Sequence, residues 1–246
     1  MKVIIFGATK GMGRAVARAL IERGDSVLLL GRDEAELSKS AKDLEQRARR
    51  PTSVSYAYCD LEQPDGFGKA LDAAERALPG YDCVLVAAGL FATQTELEQD
   101  PEYLQRLLTV NYVNTVLFCE EARKRLLARG GGTLGVWSSV AGERGRKPVV
   151  LYGSTKAGLS AYLEGLDHKF RDQGLKTICI KPGFVKTGAT EGLKPPPFAG
   201  EPEGVARDVL RALDAGSPVL YTPRIWALVM FVIRLLPRFV MRRIGF

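Results

Sequence analysis

Apolar residues along the chain fall into two alternating arrangements. Residues 3–6, 26–30, 54–58, 83–88, 133–137 and 177–180 form short apolar runs, most of them without the regular polar positions of a half-exposed strand. Between them, residues 15–20, 34–49, 67–78, 104–127, 149–170 and 203–215 repeat apolar side chains every three or four positions, as helices with one buried face do. Strands buried on both faces, alternating with amphipathic helices, predict a three-layer α/β fold. A mostly parallel central sheet carries helices on both faces, with right-handed crossovers.

No internal repeat and no linker divides this pattern. The one long irregular stretch is 183–200, with Pro195, Pro196 and Pro197 in a row, and loops of that length in such folds often serve as substrate lids. The expected organisation is one catalytic domain over 1–222 and a C-terminal extension over 223–246.

The 246 residues, 46% hydrophobic and 26% charged, suit a globular chain and exclude a disordered or fibrous one. Cys59, Cys83, Cys119 and Cys179 lie far apart within or at the end of apolar runs, which favours buried thiols in a reducing compartment over disulfides or a zinc site. His168 is the single histidine, and no metal centre is expected. The opening MKVIIFGATKG is too short an apolar run for a secretory signal and reads as a strand. Of the net charge of +7, five arginines and no acids fall after Asp214. The first 214 residues therefore hold 30 basic against 28 acidic side chains, a balance of +2 that argues against a nucleic-acid footprint.

Gly7, Gly11 and Gly13 lie between the first strand and the first helix, with Thr9, Lys10 and Met12 among them. Such a turn lets backbone approach a pyrophosphate that the helix N-terminus then receives, so the single domain reads as Rossmann-like. The second strand ends Leu30-Gly31-Arg32, without the carboxylate that holds an NAD ribose. Arg32 and Lys10 favour NADP(H), leaving NAD(H) admissible, and Asp33 is free to cap the next helix. Asp60, followed by Leu61, ends the third strand. It either accepts from an adenine amino group or shapes a turn.

Tyr152 and Lys156 stand four apart and share a helix face, where a cation favours the phenolate. Ser138 and Ser139 end the preceding strand, and Asn111 interrupts a helical segment that it suits poorly. With Gly7, Gly11, Gly13, Asp60, Ala87-Ala88-Gly89 and Pro182-Gly183-Phe184-Val185-Lys186-Thr187, these residues resemble a classical short-chain dehydrogenase/reductase over about 2–222. Ala87 departs from the usual asparagine. The resemblance implies Tyr152 as general acid, Ser139 holding the carbonyl oxygen, Lys156 on the nicotinamide ribose, and Asn111 supporting a water relay. It also implies cofactor contacts at Ala88, Gly89, Pro182, Gly183, Val185 and Thr187, a carbonyl or alcohol substrate, and a homodimer or homotetramer. A non-catalytic nucleotide-binding sensor is the rival class, disfavoured because it has no need of Tyr152.

Two segments are particular to this chain. The loop between Ser139 and Tyr152 carries Arg144, Arg146 and Lys147 against Glu143, suited either to solvent or to an anionic substrate group. In the extension, residues 225–233 are uninterruptedly apolar and arginines follow. This is too short to span a bilayer. It fits a basic amphipathic helix over 224–243, kinked at Pro237, on an anionic membrane surface. The packed alternative buries Trp226, Phe231 and Leu235 in the domain or a partner subunit. Loop and tail together are similar to the decaprenylphosphoryl-2-keto-pentose reductases, which implies a lipid-linked sugar as substrate and a cytoplasmic protein able to sit on the inner face of the membrane. A soluble reductase of small ketones, secondary alcohols or 3-oxoacyl lipids is the main alternative.

Overall fold

A computed structural model describes residues 1–245. Seven strands, β1 (Lys2–Phe6), β2 (Ser26–Gly31), β3 (Val54–Tyr58), β4 (Cys83–Val86), β5 (Gly132–Trp137), β6 (Leu175–Pro182) and β7 (Val219–Thr222), form one sheet in the order β3-β2-β1-β4-β5-β6-β7. All six neighbouring pairs are parallel. The strand order reverses between β1 and β4, which opens a crevice beyond their carboxyl ends, where such sheets bind ligands.

The helices are α1 (Gly11–Arg23), α2 (Glu34–Arg47), α3 (Phe67–Ala77), α4 (Gln94–Gln99), α5 (Pro101–Leu108), α6 (Thr115–Ala128), α7 (Val150–Phe170), α8 (Pro202–Ala215), α9 (Ile225–Leu235) and α10 (Arg238–Met241). Because side chains alternate across a pleated strand, each run feeds two cores. Val3, Ile5, Val27 and Leu29 meet Val16 and Leu20 of α1, Leu37 of α2 and Val209 of α8. Ile4, Phe6, Leu28 and Val84 meet Leu71 of α3, Phe118 of α6 and Leu163 of α7 on the opposite face. The four cysteines are buried and unbridged.

The expected single helix over 104–127 is three pieces. Between α5 and α6, residues Thr109–Asn114 form a π-helical segment, a wider turn that an apolar count at helical spacing does not register. Two elements have no counterpart in the sequence reading. The six-residue α4 is held by a capping box between Thr93 and Glu96. The four-residue β7 is an edge strand whose Val219 is exposed.

The extension folds back onto the domain. Trp226, Met230 and Ile233, at spacings of four and three, pack with Val140 and Tyr221. Phe231 and Leu235 instead stand 54% and 69% exposed. The helix breaks at Leu236 and Pro237, both extended, so the arginines do not share one continuous helical face. Among the described residues no helix is long and apolar enough to cross a membrane.

Candidate active site

The β1–α1 turn is built for close approach. Gly7 has φ +90°, and a Cβ there would lie 2.6 Å from the Ala88 backbone nitrogen. A Cβ on Gly13 would come within 2.1 Å of the Gly7 carbonyl oxygen. α1 begins at Gly11 without a side-chain cap from Lys10, so its first N–H groups are left for a ligand. This cradle fits the pyrophosphate of a dinucleotide, and Met12, Ala88, Gly89, Pro182, Gly183, Val185 and Thr187 line the adjoining cavity.

After β2, Arg32 donates to Glu62 at 2.8 Å, and Arg106 binds the same carboxylate at 2.6 and 2.8 Å. The Arg32 side chain is still 57% exposed. Lys10 is exposed as well. Asp33 caps α2 by accepting from the Glu36 N–H at 3.0 Å. One Asp60 oxygen accepts from the Glu62 N–H at 3.0 Å, as in a strand-end turn. Leu61 is buried, and its carbonyl accepts from Asn114 Nδ2 at 2.9 Å.

At the other end, Ser139, Tyr152 and Lys156 line one wall of the cavity. Ser139 Oγ accepts from the Ala141 N–H at 3.1 Å and lies 3.4 Å from the Pro182 carbonyl. Lys156 is 5% exposed and donates to the Trp137 carbonyl at 2.8 Å. Its Nζ lies 5.7 Å from the centroid of the Tyr152 ring. Burial pushes the Tyr152 phenol up to about 12, with the Ser139 hydroxyl pulling the other way. Burial brings the Lys156 ammonium down to about 8. At neutral pH the phenol therefore keeps its proton and the lysine is mostly charged. Phe91 meets Tyr152 edge-on, with centroids 5.2 Å apart.

Asn111 lies in the π-helical segment, 1% exposed. Its amide clamps Leu90 from both sides: Oδ1 accepts from the Leu90 N–H at 2.7 Å and Nδ2 donates to the Leu90 carbonyl at 2.8 Å. The segment after Gly89 is thus fixed against the site, since a Cβ on Gly89 would lie 3.1 Å from Asn111 Oδ1 and 3.8 Å from Lys156 Nζ.

The sequence matches the family model described as short chain dehydrogenase over residues 1–196. The chain belongs to that family. It is 34% identical over 243 residues to an uncharacterized oxidoreductase of Mycobacterium tuberculosis, covering 98% of this chain and 96% of the relative. Among solved structures it resembles a short-chain dehydrogenase from Sphingobium yanoikuyae in complex with NADPH, with a TM-score of 0.81, 22% identity, and 95% and 93% of the two chains covered. An actinorhodin polyketide ketoreductase with NADPH superposes with a TM-score of 0.80 at 20% identity, over 90% and 95% of the chains.

In this short-chain dehydrogenase the three cations after Ser139 separate. Arg146 lines the cavity, whereas Arg144 and Lys147 are not among its lining residues. Arg144 turns away to donate to the Leu236 carbonyl at 2.8 Å, closing the end of α9. Lys147 is exposed. Glu143, with a 5% exposed side chain, accepts from Lys181 at 2.5 Å and Tyr221 at 2.9 Å, and pairs with Arg234 at 3.3 Å.

Several wall residues escaped the sequence reading. Trp226, Val229 and Ile233 of α9 face the cavity, as do Phe198, Leu193 and Lys194 of the 183–200 loop. The signal for α9 was present in its spacing of Trp226, Val229 or Met230, and Ile233, which is that of a helix with one packed face. The wall extends to Trp137 at the end of β5 and Phe91 after β4, giving a cavity of about 940 Å³, mainly apolar.

Proposed function

We propose that this chain reduces a carbonyl to an alcohol using NADP(H). The observation that carries the reading is the Tyr152 phenol at the cavity wall, protonated at neutral pH, with Ser139 beside it and Lys156 one helical turn away. When bound, the nicotinamide supplies the hydride. Tyr152 gives its proton to the carbonyl oxygen, Ser139 holds that oxygen by its hydroxyl, and Lys156 as a cation stabilises the charge left on the phenolate. Asn111 keeps the Leu90 backbone in register with these groups, a setting suited to a water relay that restores the proton. Arg32 and Lys10 would receive the 2′-phosphate of NADP(H), and the NADPH in the two structural neighbours supports that choice.

For the substrate, the largely apolar cavity and the α9 wall support a lipid-borne carbonyl, such as the keto group of a polyprenyl-phosphate-linked sugar. The exposed apolar side chains of α9 and the arginines around them support attachment to an anionic membrane surface from the cytoplasmic side. Assembly as a homodimer or homotetramer follows from the family resemblance alone.

The test is NADPH oxidation with three carbonyl classes: a small ketone, a 3-oxoacyl ester and a polyprenyl-phosphate-linked 2-keto sugar. Turnover of the last well above the others supports the reading. Oxidation with none of them, or unchanged turnover in Tyr152→Phe, overturns it.

A further inference from the structure

The cavity wall has an uneven charge. Three cationic side chains line it, Arg146, Lys156 and Lys194, and no aspartate or glutamate does. Two of the three have an assigned place: Lys156 is held by the Trp137 carbonyl at 2.8 Å, and Lys194 stands exposed on the 183–200 loop. Arg146 has neither. Its Nε is buried without a hydrogen-bond partner among the described residues. Burial depresses its pKa and no carboxylate opposes that effect.

This contrasts with the neighbouring charges. Arg144 satisfies the Leu236 carbonyl, and Glu143 gathers Lys181, Tyr221 and Arg234. The one carboxylate of the loop is thereby committed elsewhere. An N–H taken out of water without a partner is costly, and a half-buried cation whose Nε is left unsatisfied is favoured by an anion placed beside it. Arg146 sits on the connection that leaves Ser139 and returns at Tyr152, and it shares the cavity wall with both.

We infer that Arg146 is the anchor for an anionic group on the substrate, and that the ligand is an acidic amphiphile: an apolar chain bearing one phosphate or carboxylate. This deepens the proposed reductase reading and rests on its assignment of the cavity as the substrate site. The planar guanidinium can offer two parallel N–H groups to either oxyanion. The surrounding apolar wall, including Val149 and Ile233, takes the chain.

The test measures binding, so that it does not depend on turnover. The protein has two tryptophans, Trp137 and Trp226, and both line the cavity, so their fluorescence reports occupancy directly. With the dinucleotide site saturated with NADP+, the full chain is titrated with decyl phosphate, decanoate and decanol. The expected result is that one or both acids bind roughly tenfold or more tighter than the alcohol, the order of a charge-assisted hydrogen bond. The phosphate and carboxylate arms distinguish the two anions.

Arg146→Gln should abolish that margin, Arg146→Lys should keep part of it, and Lys194→Gln should leave it. Equal binding of all three ligands, or an undiminished margin in Arg146→Gln, overturns the inference. If Arg146→Gln does not fold, the Arg146→Lys titration and the wild-type alcohol comparison still decide. Absence of an acid preference in the wild-type protein, with carbonyl reduction intact, refutes the anchor alone. Retained acid preference with no reduction of any carbonyl refutes the reductase reading alone.

Discussion

Trp226 stands directly over Gly183, so close that a Cβ on the glycine would come within 2.1 Å of the indole nitrogen. The same nitrogen donates to the Phe198 carbonyl at 3.3 Å. One side chain of the C-terminal extension therefore meets both ends of the 183–200 loop. Gly183→Ala should displace the indole and cost about 1–3 kcal/mol, as overpacking does. Thermal unfolding and kcat/KM measured together should both fall. An unchanged melting temperature and unchanged kinetics would mean that the contact is not maintained in solution.

The two faces of α9 can be separated experimentally. Truncation after Thr222 removes Trp226, Met230 and Ile233 from the packed cluster and should lower the melting temperature and raise KM. A double substitution on the outer face, Leu228→Asp with Phe231→Asp, exchanges side chains that are 62% and 54% exposed. It should leave the melting temperature nearly unchanged yet reduce sedimentation with anionic liposomes at low salt. Wild-type protein remaining wholly in the supernatant would exclude the membrane contact.

Cofactor choice depends on whether Arg32 can leave Glu62. Arg106 can neutralise that carboxylate alone, with two hydrogen bonds to it. NADPH should therefore bind more tightly than NADH. Arg32→Asp should shrink the ratio by about tenfold or more, the scale of a charge-assisted contact to phosphate. Glu62→Gln should widen it. Calorimetric titration with both dinucleotides gives the answer, and equal affinities in the wild type would count against the assignment.

The pH dependence follows from two buried groups moved in opposite directions. The proposed reduction uses a neutral phenol and a charged lysine. With Tyr152 near 12 and Lys156 near 8, kcat/KM for reduction should be flat on the acid side and fall as pH rises through about 8. Residual activity of Lys156→Met should lose that limb and decline only at higher pH, where Tyr152 ionises. A profile whose alkaline limb is unmoved in the variant would remove Lys156 as its source.

Much of the fold was readable because its central strands are buried on both faces, which leaves unbroken apolar runs such as Val3–Phe6. β7 gave no such run: it is four residues long at the sheet edge, with Val219 outside. The π-helical segment was signalled only by the presence of Asn111 in a helical stretch. The shared helix face of Tyr152 and Lys156 was legible in their spacing and Ser139 in its place at a strand end, but the roles of all three came only from the family resemblance. The charged loop was not, since nothing local distinguishes Arg144 from Arg146. What separates them is a carbonyl 92 residues further along, that of Leu236, which claims Arg144.

The family match ends at residue 196, whereas Phe198, Trp226, Val229 and Ile233, all beyond it, complete the cavity wall. Part of the cavity wall is therefore encoded apart from the reacting groups, in a separate stretch of the gene. Two relatives could share every reacting group and still accept different molecules, through changes confined to the last fifty codons. Grafting that terminal stretch between such relatives should carry the preference with it, provided the recipient loop has a counterpart of Glu143 to receive Arg234.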